Sequence, residues 1–413
     1  MGTAPTQPAE PAAQPGHGPV PVPPGHLAWL EGELRQWQSA GLVDDRAAEA
    51  IRRRYVAVRR FSLVRLLLGL GACFLGVGLI WLVAANLDRL SPLLRFVLVT
   101  LLWLGLTAGA EAIANRRAHR GGEGSSAVLG AARALAALSF GAVVFQAAQS
   151  LQVPAYEPRL LGVWGLGALL YAYAVAGVSP LVVALVTSTA WYVWQVAEDS
   201  DSGLGFVAAL LVGGVVAAAV SALHAVRWLH RFAAPWREVG ALLVLVGLFA
   251  AALPNVTGED FSWPGLLVVG LVAAALAVTA AMLAVGGRER LELLAPVVAL
   301  ALGVLLVLWD PGVTDTADVT GTAYLHAFVS VAVYLAAAGW YAVLGVLRDG
   351  TRLTALATAA LVLFTTVQAF AVFAPIISGA TLFLLVGAVL VVTGFVVDRG
   401  RRHLVATLEG GAS

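Results

Sequence analysis

From residue 64 onward the chain is a succession of apolar runs, each about twenty residues long and so matched to the ~30 Å hydrocarbon core of a bilayer. Backbone in hydrocarbon must satisfy its own hydrogen bonds, so such runs fold as helices. They fall at 64–86, 93–114, 127–149, 159–177, 180–197, 203–223, 237–254, 264–285, 291–309, 323–347, 353–374 and 376–397. The expected fold is all-α, a polytopic transmembrane bundle of about twelve helices. Very short turns join the fourth to the fifth and the eleventh to the twelfth. A chain 60% hydrophobic and only 12% charged lies outside the composition of ordinary soluble domains.

The basic residues decide which way the bundle faces. Every one of the 25 Lys+Arg residues is arginine, and outside the N-terminal region they gather in alternate connections. These are Arg116, Arg117 and Arg120; Arg227 and Arg231; Arg288 and Arg290; Arg348 and Arg352; and Arg399, Arg401 and Arg402. The positive-inside rule makes these connections cytoplasmic. The opposite connections, "AEDSDSG", "NVTGEDFSW" and "WDPGVTDTADVTGTA", carry acids and amides instead. Trp191, Trp194, Trp263 and Trp309 mark the outer interface, and Trp228 and Trp236 the inner one. Both termini are expected in the cytoplasm, in a bacterial cytoplasmic membrane.

Ahead of the first run, residues 1–25 are rich in Pro, Ala and Gln and are expected to form a disordered, solvated tail. They hold no basic n-region and no apolar stretch, so no secretory signal is expected. Residues 26–61 read as an amphipathic helical hairpin. Leu27, Leu30, Leu34 and Trp37 form one stripe, and Ala48, Ile51, Tyr55 and Val58 the other. Gly41 can end the first helix, and Asp44 or Asp45 can cap the second. Arg52, Arg53, Arg54, Arg59 and Arg60 follow as a collar that either fixes orientation or docks a regulator. The remaining chain divides into a first membrane half at 62–223, a second at 224–398 and a tail at 399–413. "GACFLGVGLIWLVAAN" from Gly71 and "GALLVLVGLFAAALPN" from Gly240 share their beginning, middle and end. A six-plus-six duplication would explain this, and so would a composition so rich in Gly, Ala, Val and Leu.

No Walker loop, His-Glu-x-x-His pair or Gly-x-Ser-x-Gly elbow is present, and the chain is expected not to be an enzyme. Cys73 is the single cysteine, which leaves no intrachain disulfide and no cysteine-type zinc site. No metal, cofactor or nucleic acid is expected. Ionisable groups inside a membrane are costly and face the bundle interior or water, so two sets stand out. Glu111 and Arg133 lie near the ends of neighbouring helices, as a structural ion pair or as part of a proton or ion relay. Asn86, Asp88, Arg95, Gln146, Gln149 and Arg159 come from four helix ends at similar depth, as separate exits to water or as one outward-facing polar pocket. His326 reads as a hydrogen-bonded interfacial histidine.

The stretches "GVGLIWLVAANLDRLSPLLRF" and "SFGAVVFQAAQSLQVPAYEPRLLGVWGLGALLYAYAVAGVSP" resemble the bacterial predicted-membrane-protein family known as domain-of-unknown-function family 2157. In that family a segment resembling "LRQWQSAGLVDDRAAEAIRRRY" precedes a first helix ending in Ala-Ala-Asn-Trp-Asp. A later helix ends in a Gly-Gln pair, and another carries a Trp near its start. Asn86, Asp88, Gln149 and Trp164 fit that pattern, whereas Leu87 replaces the Trp and Ala148 the Gly. The tract from Leu353 to His403 resembles the family's closing helices, without the polar Arg and Asp near Gln368 to Val372. The resemblance implies a membrane topology and carries no activity with it.

Two function classes follow. One is a non-catalytic membrane scaffold or sensor, set in the lipid bilayer and binding a cytoplasmic protein through residues 27–60. The other is a transporter or lipid-handling protein with the outward pocket, for which the second half offers only Gln368, Thr365 and Thr366 at mid-membrane depth. Small residues are too abundant to identify a dimer face. Reporter fusions at Gly121, Gly286 and Gly400 should read cytoplasmic, and fusions at Ser200, Gly258 and Asp315 external. Reversal at two or more sites would overturn the helix count.

Overall fold

The computed structural model describes residues 20–22, 24–57, 63–86, 91–119, 126–226, 229–253, 256–309, 321–348 and 350–373, together with Leu384, Gly387 and Val391. The chain divides into two compact units, one ending at Leu70 and the other beginning at Gly71.

In the first unit α1 (Pro24–Ser39) and α2 (Asp45–Arg54) make a hairpin. Gly41 takes a φ of +68°, the left-handed conformation that glycine adopts without a steric penalty. There the Gly41 N–H donates to the Gln38 carbonyl at 3.1 Å and the Leu42 N–H to Trp37 at 2.9 Å, which closes α1 as a Schellman turn. Asp44 then caps α2 by accepting from the Ala47 N–H at 2.6 Å. Leu34 and Ala48, one from each expected stripe, are fully buried.

The hairpin departs from expectation at both ends. Val20–Val22 (β1) pairs in parallel with Tyr55–Ala57 (β2), with Val20 opposite Tyr55 and Val22 opposite Ala57. Val20 was expected within the disordered tail and Tyr55 within a helix. Val20 and Val22 each precede a proline, which holds them extended, and Pro21 is tolerated because a two-stranded sheet has only edges. Tyr55 and the β-branched Val56 after Arg54 favour a strand over a further helical turn. Val58 and residues 1–19 lie outside the described residues.

The membrane runs become α3 (Leu63–Asn86), α4 (Pro92–His119), α5 (Ala127–Ser150), α6 (Arg159–Ala174), α7 (Val178–Ser200), α8 (Gly203–Val226), α9 (Ala233–Ala251), α10 (Gly265–Ala284), α11 (Gly287–Leu308), α12 (Gly321–Leu347) and α13 (Thr351–Phe373). These are the first eleven expected spans; the twelfth, 376–397, falls outside the described residues but for three isolated positions. Among the described residues nine helices are long and apolar enough to cross a bilayer. α6, with 16 residues, is shorter, about 24 Å.

α8 and α9 sit at the centre. In their most apolar stretches 61% and 56% of the residues are buried, against 11% in α4 and 17% in α10. They approach closely because glycine faces glycine: a Cβ on Gly214 would lie 2.6 Å from Val244 Cγ2 and 3.1 Å from the Gly240 carbonyl oxygen. In lipid, helices associate through such close packing of small residues. α11, α12 and α13 add to the pair around Leu211, Leu245, Leu248 and Tyr334, where the Tyr334 and Phe364 rings stack at 3.7 Å. α7 and α10 pack on α8 through Val196, Val212 and Leu267.

The two stretches that suggested a duplication occupy unlike environments. Phe74, Leu75 and Trp81 of α3 are 70%, 61% and 72% exposed, while their counterparts Leu243, Val244 and Ala250 of α9 are buried. Matching residues here do not bring matching packing.

Gly214→Leu should lower the thermal unfolding midpoint in detergent, with a cost of about 1–3 kcal/mol from overpacking. Gly109→Ala, where nothing lies within 4 Å of the added Cβ, should leave it within error.

Candidate functional site

Hydrogen bonds between helix ends tie the arginine-bearing turns together. Arg231 donates to the Ala176 carbonyl at 3.4 Å, Arg133 to Val175 at 3.3 Å, and Arg348 to Glu289 and Glu292. Three polar groupings collect at this Arg-rich end.

The first contains the expected pair. Glu111 of α4 and Arg133 of α5 meet in a fork, Nε to Oε1 at 2.9 Å and Nη2 to Oε2 at 2.7 Å. A planar guanidinium and a carboxylate match in this geometry. The Tyr171 hydroxyl of α6 donates to Glu111 Oε1 at 2.8 Å, and the remaining Arg133 bond caps the free Val175 carbonyl after α6. The pair is therefore a three-helix joint. Its side chains are 15% (Arg133) and 32% (Glu111) exposed.

The second grouping escaped the sequence reading. The Trp236 Nε1–H donates to the Tyr173 oxygen at 3.3 Å, and Tyr173 pairs with His224 Nε2 at 2.9 Å. His224 Nδ1 lies 2.7 Å from the Val220 carbonyl. A carbonyl only accepts, so Nδ1 carries a proton towards Val220. Both ring nitrogens of His224 thus have a partner, and Phe232 packs edge-on against Tyr173.

The third is charged. Arg348, just past α12, bonds Glu292 Oε1 through Nε at 2.9 Å and Nη2 at 2.7 Å, and Glu289 Oε1 at 3.1 Å. Burial works against its charge, but the bonds and charges of Glu292 and Glu289 outweigh that and push its pKa above the ordinary arginine value. Arg237 of α9 and Tyr341 of α12 line a small cavity beside this trio, together with Ser221 and Leu293. The cavity measures about 20 Å³, room for about one water. Arg352 approaches Glu238 only at 4.0 Å, with its side chain 70% exposed. The one sequence signal was the i, i+3 spacing of Glu289 and Glu292 among connections read only for their arginines.

At the opposite end the six expected pocket residues are placed unevenly. Gln146 is 3% exposed and its Oε1 has no partner among the described residues. Gln149 is exposed. Arg159 turns to Glu157 at 3.4 Å with its side chain 77% exposed, a pairing of little energetic weight. Arg95 is half-buried on the first turn of α4 and is engaged. No hydrogen bond among the described residues joins Gln146, Gln149 and Arg159 to one another. Asn86 ends α3, but its side chain and all of Asp88 lie outside the described residues. His326 is buried, donates to the Leu306 carbonyl at 3.0 Å and packs edge-on against Trp309. Among the described residues no three His, Cys, Asp or Glu side chains are grouped to hold a metal.

Glu111→Gln alone, or Arg133→Leu alone, should each lower stability by on the order of 3 kcal/mol, because each strands a partly buried charge. The double variant should lose less than the sum. Tyr171→Phe should cost about 1 kcal/mol. Thermal unfolding of the purified protein checks all four, and strictly additive losses would show that the fork carries no coupling.

Comparison with curated proteins finds no match, and comparison with solved structures finds none. The Glu111–Arg133–Tyr171 joint and Gln146 fall within a segment that does have a counterpart, whereas the Arg237 and Arg348 cluster lies outside it. Residues 35–181 match the family model described as predicted membrane protein (DUF2157), a family of unknown function, and so bear out the resemblance carried by the N-terminal half.

Proposed function

We propose that this membrane protein is a non-catalytic scaffold or sensor of the bacterial cytoplasmic membrane, with both termini in the cytoplasm and its N-terminal hairpin binding a cytoplasmic protein through residues 27–60. The observation that supports this reading is the hairpin's surface. It buries Leu34 and Ala48 completely yet leaves Trp29 61% and Leu42 74% exposed. A Trp on a capped helix and a Leu in the adjoining Schellman turn offer apolar anchors whose ordering is already complete, the kind of group that dominates protein interfaces. Sidedness rests on the arginine asymmetry.

A second reading, a transporter or lipid-handling protein with an outward polar pocket, draws on Gln146. A buried amide oxygen without a partner calls for a water or a ligand group.

A photo-crosslinking amino acid at position 29 of the full chain, in living cells, separates the readings. The scaffold or sensor predicts one discrete protein adduct that Leu42→Glu abolishes and Gln146→Leu leaves intact, at unchanged membrane levels. Lipid adducts alone, or a protein adduct indifferent to Leu42→Glu, would overturn it.

A further inference from the structure

The cavity beside Arg348 is bounded by two hydrogen-bond donors that lack acceptors. Arg237, half-buried on α9, makes no hydrogen bond or ion pair among the described residues. The Tyr341 side chain is 5% exposed, and its hydroxyl has no partner among the described residues. The charged acceptors that line the same cavity are the carboxylates of Glu289 and Glu292, beside the Ser221 hydroxyl, which donates to the Ala233 carbonyl. Arg348 takes only Oε1 of each, which leaves both Oε2 atoms with capacity to accept.

Charge balance says what the cavity is for. Glu289, Glu292 and Arg348 together carry one net negative charge and Arg237 one positive, while the neighbouring Glu238 and Arg352 offset each other, so the group is already neutral. An added anion would face two carboxylates and an added cation two guanidiniums. What is missing is contact: Arg237 lines the same cavity as the two carboxylates and feels the charge of Glu292, yet no hydrogen bond or ion pair joins it to either among the described residues.

We propose that the cavity is the room for a carboxylate exchange, in which Glu292 passes from Arg348 to Arg237 and Tyr341 and so leaves the turn between α12 and α13 latched to α11 only by the 3.1 Å bond from Arg348 to Glu289. In the structure Arg348 holds that turn to α11. In the second arrangement the Glu292 carboxylate fills the cavity, and both unpartnered donors gain their acceptor. Local backbone favours the movement: Pro296 lies inside α11, and its missing N–H deprives the Glu292 carbonyl of its helical bond. Arg237 on α9 and Arg348 in the turn after α12, competing for one acidic group, make a two-state element, the kind of device through which packed helices switch discretely. The exchange is independent of which function above is correct.

A double-variant cycle on the purified full chain tests it. Arg237→Gln alone should move the unfolding midpoint little, because in the latched state Arg237 makes no hydrogen bond or ion pair among the described residues and acts on the carboxylates only through its charge. Arg348→Gln should cost a moderate amount, as Arg237 takes over Glu292. Both together should lose about 3 °C more than the sum. A second readout uses Gly350→Cys in the α12–α13 turn, in a Cys73→Ser background; a Cβ at Gly350 meets only ordinary contacts of 3.6 Å or more. Its modification by a thiol reagent should speed up several-fold with Arg348→Gln. It should slow with Arg237→Gln and with Tyr341→Phe, both of which disfavour the exchanged state. Additive midpoints, or labelling unaffected by Arg237→Gln and Tyr341→Phe, would overturn the exchange and assign the cavity to a bound water. The labelling comparison stands even if Arg348→Gln fails to fold.

Discussion

The close contact between α8 and α9 is what the rest of the second unit depends on. Lipid tails are as apolar as leucine, so the bilayer gives helices no hydrophobic reason to associate, and close packing has to supply one. Gly214 and Gly240 let the two backbones meet, with a would-be Cβ on either residue 3.1 Å from the other's carbonyl oxygen. Around this contact the other helices can reach a buried surface: α11, α12 and α13 on one side, α7 and α10 on another. Helices far from it, such as α4, turn most of their surface outward.

The same economy explains where charge is kept. Apolar clusters fill the described helices along their lengths, while Glu111, Arg133, Glu289, Glu292 and Arg348 gather at one end and are paired there. A charge near an interface can reach water if its partner leaves, whereas a charge at mid-membrane cannot. Joints at this end can therefore hold helices together and still be exchanged. The Glu111 fork is the rigid case, its carboxylate receiving two guanidinium bonds and one from Tyr171. The Arg348 trio is the loose one, with acceptors to spare and, lining the same cavity, an arginine that makes no hydrogen bond among the described residues.

Much of this was legible in the sequence wherever neighbours in space are neighbours in the chain. The run of apolar residues located eleven helices to within a few residues, because length and hydropathy are local properties. Gly41 and Asp44 announced the hairpin turn through their own backbone preferences. Glu111 and Arg133 could be paired on paper, since a short connection makes α4 and α5 antiparallel neighbours and puts the two residues at one depth. The strand pairing of Val20–Val22 with Tyr55–Ala57 could not be read, because it joins segments on either side of the hairpin.

What the sequence by itself determined was which segments are helical, where they end and which connections carry the arginines, all consequences of local composition meeting the fixed thickness of a bilayer. What only the tertiary structure decided was which helices touch. It brought Tyr171 and the Val175 carbonyl to the Glu111 fork, set His224 between Val220 and Tyr173, and placed Arg237 on one cavity with carboxylates more than fifty residues away. It also separated Gln146, buried, from Arg159, exposed, although both had been placed at one depth. The physical reason is that lateral neighbours and helix rotation are set by the fit of small side chains between helices distant in the chain. A sequence so rich in Gly, Ala, Val and Leu offers many such fits, and only the folded bundle selects one.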